Sequence, residues 1–414
     1  MKVDANVAAL GAARMADAVA NSFLVVVLPL YVASGQMGGT LFGLTGAAAT
    51  GVILSGFGFF NAALQPFAGH LSDRAGRRKL FVVGGLIAVC ALSLVYSFAH
   101  SYVTVLLVRL GQGAAAAFTI TASIALVNEL SARENRGANM GTYNSLRLVG
   151  FGAGPLAAGF LVESGPYRMF GRRITGYDAA FYLAAFGALL SVALVTRLVK
   201  EPPRAAGVQP GAFRLALRAS EGSHVLDPIF ALGIATLLMT SSISLLSPLE
   251  KQVNARLGQT PFWFGLEFAA FVFSLSALQP IVGSWSDRWG RRRFIVAGLV
   301  LLAPATMAVG LAGSPWWMVA ARMAQGIAGA LVFAPALALG GDLVRKGASG
   351  AQLSVLTMGF GIGISVGQIS AGFLVRWGFI VPFAAAAALA LAAAFVVWRE
   401  AVEPPARGGG GTRR

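Results

Sequence analysis

Leu64–Arg78 reads LQPFAGHLSDRAGRR, and Leu278–Arg292 reads LQPIVGSWSDRWGRR. Ten of the fifteen positions are identical at a constant offset of 214 residues, and each copy closes a long apolar run. A second pair keeps nearly the same spacing: Arg109–Gly113 is RLGQG and Arg322–Gly326 is RMAQG. Two matched pairs at nearly one offset make this chain two homologous halves, each with the same polar punctuation set into hydrophobic sequence.

Of the 414 residues, 57% are hydrophobic and 12% charged, and mean hydropathy is +0.73. A soluble domain carries roughly 25% charged residues, so composition excludes a water-soluble globule. Apolar stretches, each enough to cross a hydrocarbon core of about 30 Å as a helix, lie near residues 8–33, 44–70, 79–99, 102–127, 138–163 and 177–197. They continue near 228–249, 262–285, 294–313, 315–340, 351–375 and 377–398. Lipid offers no partner to unpaired backbone groups, so all are helices. The expected fold is an all-α integral membrane protein, with twelve transmembrane helices in two pseudo-symmetric six-helix bundles. Its parts are a first bundle over 1–197, a cytoplasmic linker over 198–226, a second bundle over 227–399 and a disordered tail over 400–414. Repeats of this kind around a midplane site belong to secondary transporters.

Charge sets the orientation. Of 32 Lys and Arg, twenty-two fall in the termini and even-numbered loops, six in odd-numbered loops and four inside spans. Cytoplasmic loops carry the excess, so both termini are expected in the cytoplasm. Arg168, Arg172 and Arg173 break the rule. The net charge of +16 is spread over short loops instead of forming one patch, which argues against nucleic acid and for contact with anionic phospholipids. Cys90 is the single cysteine, so neither a disulfide nor a cysteine metal site is expected. The first span follows Asp4 with no cleavage signal and is read as retained.

In Gly69-x-x-x-Asp73-Arg74-x-Gly76-Arg77-Arg78, Gly69 permits close helix approach and Gly76 a tight turn. Asp73 suits a helix N-terminus, and Arg77 and Arg78 can pair with acids or reach phosphates. The twin is Gly283-x-x-x-Asp287-Arg288-x-Gly290-Arg291-Arg292. This motif resembles the signature loop of the major facilitator superfamily, and the resemblance covers essentially the whole chain. It implies a conformational latch that locks the outward-facing state by contacts between the halves. By the same resemblance Asp73 caps a helix of the other half, Glu129 pairs with Arg77, and Asp342 is the equivalent of Glu129. A purely stabilising ion pair is the alternative for Glu129.

Gly150-x-x-x-Gly154-Pro155-x-x-x-Gly159 in the fifth span resembles the antiporter motif of the superfamily's proton-coupled drug exporters, with Ala158 at a slot often held by glycine. The second half has Gly363, Gly367 and Gly372, but Gln368 in place of the proline. Charged residues at membrane depth are functional candidates; here they are Arg14, Asp17, Arg109, Arg147, Glu267 and Arg322. Asp17 and Arg147 fall at similar depth, so Asp17 is the expected proton site with Arg147 as its partner, and Arg14 competes for the same carboxylate. A permanent ion pair fixing helix register is the alternative. Arg109, with Gln112 and Gly113, resembles the fourth-span motif implicated in proton coupling, and Arg322 with Gln325 is its twin toward the central cavity. Asn21 is available for hydrogen bonding, and Glu267, early in the eighth span, is either a second protonatable group or interfacial, the interfacial reading being favoured.

The expected function is efflux of small amphipathic compounds or drugs, powered by the proton gradient with no cofactor, by a monomer in the cytoplasmic (inner) membrane. The alternatives are a proton symporter importing an organic anion or sugar, and a transporter-fold sensor that moves nothing. No nucleophile–base constellation or nucleotide-binding motif points to an enzyme.

Overall fold

The structure is a computed structural model describing residues 5–35, 37–131, 135–169, 171–201, 226–343 and 349–401. Twelve helices among these residues are long and apolar enough to cross a membrane. In the first half they are α1 (Ala5–Ala33), α2 (Gly46–Ala75), α3 (Arg78–Val95), α4 (Tyr102–Leu130), α5 (Arg136–Ser164) and α6 (Gly176–Leu198). The seventh crossing is composite: α7 (Pro228–Ser244), a 3-10 turn at Ser247–Leu249, then α8 (Glu250–Leu257). The others are α9 (Pro261–Trp289), α10 (Arg291–Gly310), α11 (Pro315–Leu343), α12 (Ser349–Leu374) and α13 (Val381–Glu400). Most of the expected linker and tail lie outside the described residues, including Pro202, Pro203, Pro210 and His224.

Local chemistry sets several of the helix ends. Asp227 caps α7, accepting from the N–H groups of Ile229 and Phe230 at 2.9 and 3.3 Å, with Pro228 at the first turn. Thr175 and Asp178 form a reciprocal capping box on α6. Gly76 ends α2 at φ 61° and Gly258 ends α8 at φ 61°, conformations that suit glycine. A short hairpin, β1 (Tyr167–Met169) with β2 (Arg172–Ile174), joins α5 to α6 and carries the three arginines that depart from the charge rule.

Two helices run past their expected ends. The repeat begins on helix: Gly69, Asp73 and Arg74 belong to α2, and Gly283, Asp287 and Arg288 to α9. Only Gly76 with Arg77, and Gly290, form the turns. The seventh crossing also continues eight residues beyond Leu249 as α8.

Helices α1 to α6 pack mainly on one another, as do α7 to α13, and the halves meet chiefly through α2 against α12 and α5 against α9. These contacts concentrate at the face opposite the chain ends, called here the far face. One apolar cluster there draws Leu28, Tyr31 and Ile53 from the first half and Leu249, Val253, Phe264 and Phe383 from the second. Lys251 reaches across to donate to the Ala33 carbonyl at 2.8 Å. Toward the terminal face the core divides into separate clusters, one around Val7, Val82 and Tyr143 and one around Leu232, Leu299 and Val397. The molecule is therefore sealed at the far face and parted at the terminal face.

Candidate functional site

The far-face seal is made by backbone approach. Gly159 of α5 lies so close to α9 that a Cβ there would stand 2.5 Å from the Pro261 carbonyl oxygen and 2.8 Å from Phe262 Cα. Gly265 of α9 faces the Pro155 carbonyl, and Gly51 of α2 faces the Gln368 carbonyl with its Cβ position 2.5 Å away. Gly372 of α12 meets Ala47 at 2.5 Å in the same sense. The other glycines of the fifth-span motif point the opposite way: Gly150 packs on the Met15 backbone of α1, and Gly154 on Val19 and Ser22. Gly363 and Gly367 do the same for α12 against α7. The motif is thus a two-sided packing surface, joining α5 to its own half by one side and to the other half by the second.

Within each half a clamp of matching geometry holds an arginine. Arg109 Nη1 donates to Gln112 Oε1 at 3.3 Å, Gln112 Nε2 donates to Ser93 Oγ at 3.3 Å, and the guanidinium lies 4.6 Å from the centre of the Phe57 ring. In the second half Arg322 Nη1 donates to Gln325 Oε1 at 2.7 Å, Gln325 Nε2 to Thr306 Oγ1 at 3.1 Å, and the guanidinium lies 4.8 Å from Phe271. Each arginine gains a ring face and an amide acceptor in place of water. Tyr96 adds a hydroxyl to Gln112 at 2.9 Å, and Arg322 adds a bond to the Ile243 carbonyl at 3.1 Å. Arg109 is 6% exposed and Arg322 2%. Both are enclosed within their own halves instead of lining an open cavity.

Asp17 is 2% exposed and pairs with Arg14, not Arg147. Asn21 Nδ2 donates to its Oδ1 at 2.8 Å. Arg14 lies one turn away on the same helix and wins the carboxylate by proximity. Arg147 instead lies within electrostatic reach of Arg14 and Tyr143, and no acid pairs with it among the described residues.

The terminal-face motif closes within each half. Arg78, not Arg77, pairs with Asp73 and with Glu129, the latter at 3.1 Å, and also donates to Ser72 Oγ at 2.7 Å. In the twin, Arg291 pairs with Asp287 at 2.8 Å and with Asp342. Arg74, Arg77 and Arg288 are exposed. Among the described residues Asp73 pairs with Arg78 and caps no helix of the other half, and a Cβ at Gly69 or Gly283 would meet nothing within 4 Å. The reason is the state of the molecule: with the terminal face parted, the opposing helices are out of reach.

Two acids are fully buried: Glu267, for which the sequence favours the interface over a protonatable role, and Glu250, which follows the expected end of the seventh span at residue 249. The signal that bears on Glu250 is the Glu-Lys-Gln-Val-Asn-Ala-Arg-Leu-Gly run, a good helix closed by glycine.

Comparison with known proteins adds the family. The Major Facilitator Superfamily profile matches residues 10–253 and 232–414. Multidrug resistance protein MdtG of Dickeya zeae (strain Ech586) is 28% identical over 287 residues, covering 68% of this chain and 67% of its own length. Quinolone resistance protein NorA of Staphylococcus aureus is 25% identical over 181 residues, covering 44% of this chain and 42% of its own. Among solved structures, a bacterial homologue of the human lysosomal transporter Spinster, described as inward-facing and occupied, superposes with TM-score 0.72 at 15% identity, covering 95% of this chain and 94% of the other. The human organic anion transporter MFSD10 superposes with TM-score 0.67 at 19% identity, covering 94% and 98%.

Proposed function

The chain belongs to the Major Facilitator Superfamily and is a membrane carrier, not an enzyme, and on that premise we propose that it exports small amphipathic compounds in exchange for protons. The observation that carries this reading is the far-face seal. An exchanger that leaks at either face dissipates its gradient, and here the antiporter-type glycines bring backbone against backbone on both sides of α5. The relatives named for multidrug and quinolone resistance support the same branch.

The lysine and arginine distribution puts the terminal face in the cytoplasm, so the parted face takes compounds from the cell interior and the sealed face is the exit. Export then follows alternating access: the halves rock about the α2–α12 and α5–α9 contacts, the seal opens, and compound leaves as a proton enters. Organic-anion transport is the second reading, favoured by the four arginines at membrane depth. Three of them are already engaged, Arg14 by Asp17 and Arg109 and Arg322 by their glutamines, which leaves Arg147 as its support.

The test is flux in everted vesicles with an acid interior. Lipophilic cations and organic anions are added singly while a pH probe follows the lumen. Lumen alkalinisation triggered by lipophilic cations is the expected result. Silence toward every compound, with folded and abundant protein, would refute exchange; a response to anions alone would favour the second reading.

A further inference from the structure

The far-face seal encloses a pair of acids that the exchange cycle described above has not used. Because the turn at Ser247–Leu249 runs directly into α8, Glu250 is carried into the bundle instead of into solvent. Glu267 stands on the second turn of α9. Both are 0% exposed, and none of their four carboxylate oxygens has a hydrogen-bond partner. The two carboxylates lie within electrostatic reach of each other. Their chain neighbours Leu249, Val253 and Phe264 belong to the apolar cluster that spans the two halves.

The surrounding groups do not compensate two negative charges. Tyr177 faces Glu250 from α6, and Gln259 and Arg322 face Glu267. Among the described residues Arg322 is the one cation near the pair; its Nη1 is committed to Gln325 and the Ile243 carbonyl, while its Nε has no hydrogen-bond partner. Lys251 is committed to the Ala33 carbonyl, and Arg256 stacks on Phe379 at 4.6 Å. Asp178 is held in the α6 capping box, and the Tyr31 hydroxyl donates to the Ala99 carbonyl. Gln259 donates its amide to Asn254 Oδ1 at 3.0 Å, which leaves its buried Oε1 as one more acceptor without a donor. Ionised carboxylates only accept. Among the described residues the site therefore holds five buried acceptor oxygens with no hydrogen bond within reach, and Tyr177, Gln259 and Arg322 as the polar groups nearest them, an environment in which paired like charges do not both persist.

We propose that Glu250 and Glu267 form one proton-binding site, whose proton must be in place for the far face to close. The proton neutralises one of the two carboxyls and turns one buried acceptor into an O–H donor. It arrives from the extracytoplasmic side while the far face is open, neutralises the pair, and allows the halves to seal over it. Loss of the proton leaves an uncompensated charge under the seal and drives it open. The role in transport rests on the exchange reading; the proton-gated closure does not.

The experiment uses the full-length protein in nanodiscs, with Cys90→Ala removing the single native cysteine and spin labels on Thr40→Cys and Gly313→Cys, both exposed at the far face. Distance distributions are recorded from acid to alkaline pH. The open-to-closed ratio should rise about tenfold per pH unit through the transition, the slope of a single linked proton. In the E250Q/E267Q double variant, which mimics the neutral pair, the closed population should persist at every pH. Infrared titration provides a second reading: the protonated-carboxyl band that titrates with closure should disappear in that variant. A parent without pH-dependent closure, or a double variant that keeps it, would overturn the site. If closure follows the pair but vesicles show no compound-driven proton movement, the exchange reading fails and the site stands.

Discussion

Gly159→Ala is the smallest change that should unbalance the two faces. The added methyl would sit 2.5 Å from the Pro261 carbonyl oxygen, 2.8 Å from Phe262 Cα and 2.9 Å from Pro261 C, all backbone atoms that cannot rotate away. Ordinary contact begins near 3.5 Å, so α5 and α9 must separate by roughly 0.7–1 Å. Overpacking of this kind costs about 1–3 kcal/mol. The contact joins the halves and exists only while the far face is sealed, so the cost falls on that state alone and shifts the open-to-closed ratio by about 5- to 150-fold. Helix propensity improves equally in both states and cancels. The assay is labelling of Val253→Cys, buried at the seal, by an impermeant maleimide in the Cys90→Ala background. Gly150→Ala is the internal comparison: its methyl meets the Met15 backbone within the same half, so it should lower thermal stability without changing labelling. Gly69→Ala meets nothing within 4 Å while the terminal face is parted, so it places no cost on the sealed state and should not raise labelling. Unchanged labelling in Gly159→Ala, or an equal increase in Gly69→Ala, would refute the argument.

Other substitutions separate roles that the geometry distinguishes. Asp17→Asn leaves Arg14 buried without its counter-charge and should cost about 3–5 kcal/mol of stability, while far-face closure keeps its pH dependence; loss of that dependence would return the proton site to Asp17. Arg78→Ala removes the partner of both Asp73 and Glu129, whereas Arg77→Ala removes an exposed side chain, so compound flux should fall more in the first; the partly exposed pair is worth at most about 1 kcal/mol to stability. Arg322→Gln removes the one cation beside Glu267, which disfavours the ionised pair, so the closed far face should persist to higher pH. Arg109→Gln, with no acid facing its clamp among the described residues, should lower thermal stability and leave that midpoint in place; thermal unfolding and spin-label distances across a pH series check these.

The twelve crossings were legible because hydropathy integrates over twenty residues and tolerates an error of a few at either end. That tolerance is what hid Glu250. A window average falls at the first charged cluster, Glu250-Lys251, and cannot register that Lys251 turns outward to a carbonyl of the other half while its neighbour turns inward. Glu267 was hidden by the opposite bias: its depth on the helix was read correctly as near one end, but burial there comes from the second half closing over it, which is not local information. The choice between Arg77 and Arg78 was beyond the sequence for a different reason. Both follow a glycine turn, and the twin motif resolves it the other way, using Arg291, the counterpart of Arg77. The Arg–Gln clamps were legible as a spacing, since residues three apart on a helix face each other, but their ring partners Phe57 and Phe271 lie on other helices and carried no mark of their role.

The match between halves separates mechanical parts from chemical ones. Phe57 and Phe271, Ser93 and Thr306, Gly51 and Gly265, and Gly159 and Gly372 occupy equivalent positions and make equivalent contacts. Aligning Ser22 with Ser244, the residues that meet Gly154 and Gly367, sets Leu28 opposite Glu250 and Met239 opposite Asp17. The 214-residue offset of the repeat sets Ile53 opposite Glu267. Leu28 and Ile53 are as buried as the acids they replace, so the first half shows that this seal closes fully on hydrocarbon. Carboxylates at the second-half positions therefore do not serve packing, and a well-packed apolar pair would hold the face shut more firmly. What they add is a closure that depends on a proton. Rocking needs two alike halves; direction needs a difference between them, and these acids are where the far face has one.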